Sequence, residues 1–360
     1  MPSRLSNPEK PPTQTPPSAP PASRWPVIVG VGSIVIGILG VTLVFARTTW
    51  AVDPSPFDGA SLYVNPTSNA ALAAAAAEGD QQSAAQLRKL ASQPTAMWLG
   101  DWNPEGTLTS TVASHVATVA ASGALPLLVV YDIPGRDCGQ FSSGGEADAD
   151  AYRSWMTSFA AGIDQAPAAV IVEPDALAQM DCLSAKGQNA RIGLIKFAVG
   201  SLAAYPNVSV YIDAGHSSWI PAQAMAERLI AAGISEARGF SLNVSNFRPT
   251  EDEVAYGNQI SDLVGGKPFV IDTSRNGAGA PDGVDAWCNP PGRALGSAPL
   301  SPSGESQVDA LLWIKTPGAS DGECGRGEPP AGTFWPDYAV GLVDRSSLQA
   351  NAVQSEGDSS

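Results

Sequence analysis

Acidic side chains in this sequence recur at one kind of position, directly behind short apolar runs. Asp101 follows Met97-Trp98-Leu99, and Asp132 and Asp137 follow Leu127-Leu128-Val129-Val130-Tyr131. Asp175 follows Val170-Ile171-Val172-Glu173-Pro174, Asp213 follows Val210-Tyr211-Ile212, Asp272 ends Phe269-Val270-Ile271, and Asp321 lies just beyond Trp313-Ile314-Lys315. A single carboxylate at a strand end is commonly a helix cap or a partner for loop amides. Six strand ends that carry one make a candidate active site. Like charges a few ångströms apart in a water-poor cleft do not both ionise cheaply, so one acid keeps its proton near neutral pH while a neighbour stays charged. Glycosidic bond cleavage is built on that division of labour. His216, three residues after Asp213 on a loop, is the histidine placed to take part, whereas His115 falls inside a helical run and reads as structural. Trp98, Trp219 and Trp287 lie within a few residues of the same strand ends, where flat rings could stack on sugar faces; core packing is the plainer use of such a ring.

Other chemistries lack their residues. No GxSxG elbow is present, two histidines leave little room for a zinc site, and nothing in the sequence requires a metal or cofactor. Gly30 and Gly32 lie inside a long apolar run rather than a nucleotide-binding turn. With 20 Lys+Arg against 35 Asp+Glu, the net charge of −15 argues against nucleic acid as a partner.

The elements that must position these residues alternate regularly. Candidate strands are Leu62–Asn65, Met97–Gly100, Leu127–Ile133, Ala169–Glu173, Val208–Ile212, Gly239–Val244, Phe269–Thr273 and Leu311–Lys315. Helical patterns run over Ala70–Ala91, Leu108–Ala121, Ala149–Ile163, Gln188–Ala204, Ile220–Ala232 and Glu251–Leu263. Short apolar runs of this kind, alternating with helices, predict a parallel sheet buried on both faces, and six to eight such units predict an α/β barrel with its chemistry at the strand C-termini. Residues 274–304, dense in Gly, Pro, Ser and Asn, read as a long functional or disulfide-tethered loop.

The N-terminal region has a different character. Residues 1–25 are Pro-rich and read as a disordered cytoplasmic tail. From Pro26 to Ala46 there are 21 residues without a charge, enough for a transmembrane helix, with Trp25 and Trp50 at its borders. A cleaved signal peptide is the competing reading, but its apolar stretch is normally about 7–15 residues. Arg4, Lys10 and Arg24 precede the span and only Arg47 follows closely, which predicts a signal anchor with the remainder outside the cell membrane, or secreted if the anchor is cut. Residues 47–59 form a linker, 60–348 the catalytic domain and 349–360 a polar tail. All four cysteines, Cys138, Cys182, Cys288 and Cys324, fall in the exported part, which suggests two disulfides among three possible pairings.

These residues resemble glycoside hydrolase family 6, the inverting cellulases. Six motifs carry the resemblance: Tyr131-Asp132-Ile133-Pro134-Gly135-Arg136-Asp137-Cys138, Val172-Glu173-Pro174-Asp175, Tyr211-Ile212-Asp213-Ala214-Gly215-His216, Asn243-Val244-Ser245-Asn246, Asp272-Thr273-Ser274-Arg275-Asn276-Gly277, and Trp313-Ile314-Lys315 leading to Ser320-Asp321-Gly322. They occur in the family's order over about residues 60–345. The resemblance implies a variant, distorted TIM-like barrel with fewer than eight paired strands, so one of the eight candidate runs is surplus. It implies Asp175 as general acid, Asp137 as the aspartate that raises the acid's pKa and relays a proton from the attacking water, and Asp321 as catalytic base. Asp213 corresponds to a further carboxylate near the substrate, while Tyr131 and Ser143 correspond to groups that distort the central sugar and hold the water. Trp98, Trp219, Trp287, His216, Asn243 and Lys315 fall at substrate-binding positions. The implied disulfides are Cys138–Cys182 and Cys288–Cys324.

One departure is Ala319, which stands where many family members place a glutamate, and it implies a lost hydrogen bond to the substrate. The segments from Asp175 to Cys182 and from Asp321 to Cys324 are too short to roof a cleft. The expectation is therefore an open groove and internal cleavage of a β-1,4-glucan such as cellulose. The alternatives are an exo-acting cellobiohydrolase and a membrane-tethered glucan-binding protein with little turnover.

Overall fold

The computed structural model describes residues 54–77, 79–283, 286–301 and 307–347. The expected tail 1–25, the span 26–46, residues 47–53 of the linker and the tail 349–360 lie outside the described residues. Among the described residues no helix is long and apolar enough to cross a membrane.

In chain order the elements are β1 (Ser61–Leu62), α1 (Asn69–Ala76), α2 (Gln81–Ala91), β2 (Met97–Leu99), α3 (Glu105–Ala121), β3 (Ala124–Leu125), β4 (Leu127–Val130), α4 (Ala149–Ile163), β5 (Ala168–Val172), α5 (Ala185–Ala203), β6 (Val208–Asp213), α6 (Ala222–Ala231), β7 (Gly239–Leu242), α7 (Thr250–Leu263), β8 (Phe269–Asp272), β9 (Val308–Leu312) and α8 (Pro336–Asp344). Seven strands form one parallel sheet in the order β2-β4-β5-β6-β7-β8-β9. Its two ends meet just outside the strands, where Ala96 N–H donates to Trp313 O (3.1 Å) and the Trp98 indole N–H donates to Ile314 O (2.8 Å). The sheet is thus curled into the expected variant barrel, joined at this seam by single bonds rather than by a ladder.

Residues of β4, β5 and β8 are buried on both faces, which is why Leu127–Val130, Ala168–Val172 and Phe269-Val270-Ile271 read as unbroken apolar runs. Leu128, Val130, Val170, Val172 and Ile212 pack outward against the helices, while Val129, Ala169, Ile171, Tyr211, Val270 and Ala310 fill the inside of the curl. The surplus run is Leu62–Asn65: β1 pairs only with β3, in a two-stranded sheet of its own. Its apolar character did not mark a buried strand: Leu62 and Tyr63 are half-buried and Val64 and Asn65 are exposed.

Two other boundaries move for identifiable reasons. The last strand begins at Val308, three residues earlier than expected, because Asp309 breaks its apolar pattern. That aspartate is buried and takes two bonds from the Arg238 guanidinium (2.7 and 2.9 Å) and one from the Tyr211 hydroxyl (2.7 Å). The single helix expected over Ala70–Ala91 splits, since Asp80 caps a new helix by accepting from Gln82 and Ser83 N–H. Helix α8 was not anticipated.

Candidate active site

The loops at the C-terminal strand ends carry the expected carboxylates, and their backbone is unusual there. Nine described non-glycine residues have positive φ, and eight of them lie in these loops: Asp137, Cys138, Glu173, Asp175, Asn243, Ser245, Asn289 and Cys324. Left-handed geometry costs an L-residue free energy and persists where the surroundings enforce it, often at functional sites.

Asp175 follows β5 at φ 68° and is half-buried. Its N–H donates to Asp213 Oδ1 (2.9 Å), which holds the two acids side by side. Burial, then the Asp213 and Asp137 charges, push the Asp175 carboxyl well above the usual range, with Lys315 opposing. Asp213 accepts additional bonds from Gly215 N–H (3.0 Å) and the Ser241 hydroxyl (3.0 Å). Burial still carries its pKa up to about 7 against those bonds.

Asp137 is turned toward the β5 loop. Its two oxygens accept from Gln179 Nε2 (3.1 Å) and Ser142 N–H (2.7 Å), and the neighbouring Cys138 is bonded to Cys182, which ties the same two loops together. Beneath them Glu173, almost fully buried, accepts the N–H groups of Asp132 and Ile133 (3.1 Å each). Burial raises Glu173 to about 7 and Asp132 to about 8, and neither Asp132 side-chain oxygen has a partner among the described residues.

Asp321 has the opposite character. Oδ2 accepts from Arg275 Nη1 (2.8 Å) and Asn289 N–H (3.0 Å), and Oδ1 pairs with Lys315 Nζ (3.2 Å). Burial works against the charged form, but the Arg275 and Lys315 cations outweigh it and hold the carboxyl below the ordinary range. The expected bond Cys288–Cys324 is present, one residue from Asn289.

Next to these groups lies a cleft of about 580 Å³: Trp98, Tyr131, Ser143 and Lys315, the cation paired with Asp321, line its wall with Trp102, Arg136, Phe141 and Ala319. Trp98 meets Tyr131 edge-on at 5.3 Å. His216 and Trp287 line a second hollow of about 140 Å³ with Arg248, and Trp219 packs 5.4 Å from the His216 ring. Burial, together with Arg248, lowers His216 to about 4, so it is neutral at physiological pH and can act as a hydrogen-bonding group. Asn243 is fully buried, and its amide donates to Asp272 O (2.8 Å) and Arg248 O (3.3 Å) and accepts from Arg248 N–H (3.0 Å), so it shapes the β7 loop. Sequence reasoning missed the parts Gln179 and Asn289 play, because amide side chains in irregular loops carry no periodic signal. Arg275, by contrast, stood in a quoted motif without an assigned duty.

The comparisons agree with this geometry. The model for "Glycosyl hydrolases family 6" matches residues 57–346. The chain is 46% identical over 291 residues to Endoglucanase A of Cellulomonas fimi, a match covering 81% of this chain and 62% of that protein's length. It is 48% identical to the solved endoglucanase Cel6 of Mycobacterium tuberculosis, in complex with methyl-cellobiosyl-4-deoxy-4-thio-β-D-cellobioside, at a TM-score of 0.79 over 81% of this chain and 99% of that one. A probable 1,4-β-D-glucan cellobiohydrolase C of Aspergillus niger is 30% identical over 365 aligned positions, covering 83% of this chain and 79% of that protein. Since 83% of 360 residues is about 299, some 66 of those positions (365 − 299) are insertions in the fungal protein. The same arithmetic for the C. fimi endoglucanase, 81% of 360 against 291, leaves essentially none. From residue 57 to residue 346, therefore, this chain belongs to glycosyl hydrolase family 6.

Proposed function

We propose that the chain is an endo-acting, inverting hydrolase of β-1,4-glucan, cellulose or a close relative. The observation that carries this reading is Asp175: a half-buried carboxyl whose pKa burial and the flanking carboxylates push well above the usual range, in the group of acids next to the aromatic-lined cleft that Tyr131 and Lys315 help to wall. It gives its proton to the departing glycosidic oxygen while water attacks the anomeric carbon from the opposite face. Asp321 is poorly suited to take the water's proton, because the Arg275 and Lys315 cations on its two oxygens depress its basicity, whereas Asp137 is bonded by neutral donors alone. Its fixed negative charge instead stabilises the cationic sugar, and the proton moves toward Asp137 past Tyr131 and Ser143.

Internal cleavage is supported by the loops. After Asp175 the chain dives into the core through Ala176, Leu177, Ala178 and Met180, all buried, rather than rising over the cleft. The insertions that lengthen the cellobiohydrolase relative are missing here. On carboxymethylcellulose, a fall in viscosity that outpaces reducing-end release supports endo action; processive release of cellobiose alone would refute it. One observation favours a second reading, a glucan-binding protein with little turnover: Ala319 sits on the cleft wall where a glutamate would reach the substrate. Binding with no viscosity change in the native chain would select it. Attachment to the membrane through residues 26–46, with the catalytic domain outside, is supported by the uncharged span and by four cysteines that are all bonded. Protease accessibility on intact cells tests that placement.

A further inference from the structure

Trp102 stands three residues past the end of β2 with 51% of its surface exposed. An open tryptophan leaves a large apolar area in water, and this one is held rigidly from behind. The Arg136 guanidinium lies 4.7 Å from the centre of the Tyr131 ring and 5.4 Å from that of Trp102. That guanidinium is itself pinned, donating to Ser142 O (2.8 Å), Tyr131 O (2.9 Å) and the Asp101 carboxylate (3.1 Å). Gly100 supplies the space on which the ring rests, since a Cβ there would come within 2.7 Å of it. The exposed part of the ring lines the same cleft as Trp98. An aromatic surface fixed before the ligand arrives loses little ordering entropy on binding.

We infer that Trp102 forms a further sugar-binding subsite, which takes a glucosyl unit of a β-glucan chain beyond the unit carried by Trp98. The two rings are placed differently. Trp98 belongs to the strand end, packs edge-on to Tyr131 and is fastened to Ile314 O, one residue before Lys315, the cation paired with Asp321. Trp102 lies out on the loop, with the Arg136 cation between it and Tyr131. A short oligosaccharide spanning the catalytic centre ends before it reaches Trp102, whereas a longer chain lies across both rings. The site therefore reads chain length. The identity of the ligand rests on the function proposed above; the preset ring does not.

The test compares cellotetraose with cellohexaose on the full-length chain, native and with Trp102→Ala, Trp102→Gln or Trp102→Tyr. Loss of one stacking contact lowers kcat/KM for cellohexaose roughly three- to tenfold in the alanine and glutamine variants. Cellotetraose kinetics stay unchanged, and the tyrosine variant retains most of the cellohexaose rate. An equal loss on both substrates would mean that the ring acts only by covering Arg136, and no loss on either would mean that it binds nothing; both results overturn the inference. If the native chain turns over neither substrate, the catalytic reading fails by itself. The ratio of the two oligosaccharides' affinities, followed by tryptophan fluorescence in native and Trp102→Gln chains, then decides the subsite independently.

Discussion

Asp175→Asn removes one proton and little else. Asparagine has nearly the same shape, tolerates the left-handed backbone at this position better than most residues, and keeps the N–H that donates to Asp213 at 2.9 Å. It also removes a carboxyl that burial and the Asp213 and Asp137 charges oblige the folded chain to keep protonated above the pH at which the unfolded chain has released the proton, so the melting temperature should hold or rise slightly. A positioned general acid contributes about 10²- to 10⁴-fold in rate, or roughly 3–5 kcal/mol of barrier. That whole contribution is needed only when the leaving group is a poor one. On carboxymethylcellulose, kcat is therefore expected to fall within that range at unchanged KM. On an aryl cellobioside whose phenol departs as a stable anion, the loss is expected to shrink to less than tenfold. Initial rates on the two substrates, with circular dichroism to verify the fold, check this. An equal loss on both substrates would refute the assignment of acid, because the side chain would then be acting on binding or on structure.

Other perturbations follow from the same electrostatics. Asp213→Asn removes a like charge beside Asp175; the acid then loses its proton at lower pH, and the basic limb of the kcat profile moves to lower pH while the acidic limb stays, as a pH–rate series reads. Asp132 is raised in the folded state to about 8, so the native chain binds a proton that the unfolded chain has already released above its ordinary value near 3.8, and stability declines as pH rises between the two. Asp132→Asn should accordingly raise Tm at pH 8–9 by several degrees and leave it nearly unchanged near pH 4, by thermal unfolding. Ala319→Glu should restore a polar contact on the cleft wall and lower KM for cellohexaose by about two- to tenfold; an unchanged KM would refute the inference that Ala319 costs the chain a hydrogen bond to the substrate.

Much of the fold was legible because a parallel sheet buried on both faces leaves uninterrupted apolar runs, each ending where a loop must supply chemistry. The seven strands of the main sheet and the carboxylates behind them were found that way. Strand pairing is decided in space, and Leu62 shows the consequence: an apolar run of the right length pairs outside the main sheet. Where a strand carries a buried charge, as at Asp309, the pattern fails because the partners that make the charge tolerable, Arg238 and Tyr211, are far away in sequence. The same limit applied within the site. Asp175 and Asp321 look alike as residues behind strands, yet one is pushed up by burial and neighbouring acids, while the other, equally subject to burial, is held down by Arg275 and Lys315. The resemblance named Asp321 as base, whereas the partners on both its oxygens argue for a charge that stays in place. The bonds by which Asn243 supports the β7 loop were hidden for the same reason, since an amide's partners are invisible until the loop is folded.

Proton NMR of the first sugar released from cellohexaose bears on the mechanism most immediately. If Asp175 protonates the departing oxygen while water enters from the other side, the newly formed reducing end appears first as the α-anomer and the β-anomer grows in only by mutarotation. A β-anomer in the earliest spectra would mean that a covalent glycosyl-enzyme forms, and the roles given to Asp175, Asp137 and Asp321 would have to be abandoned.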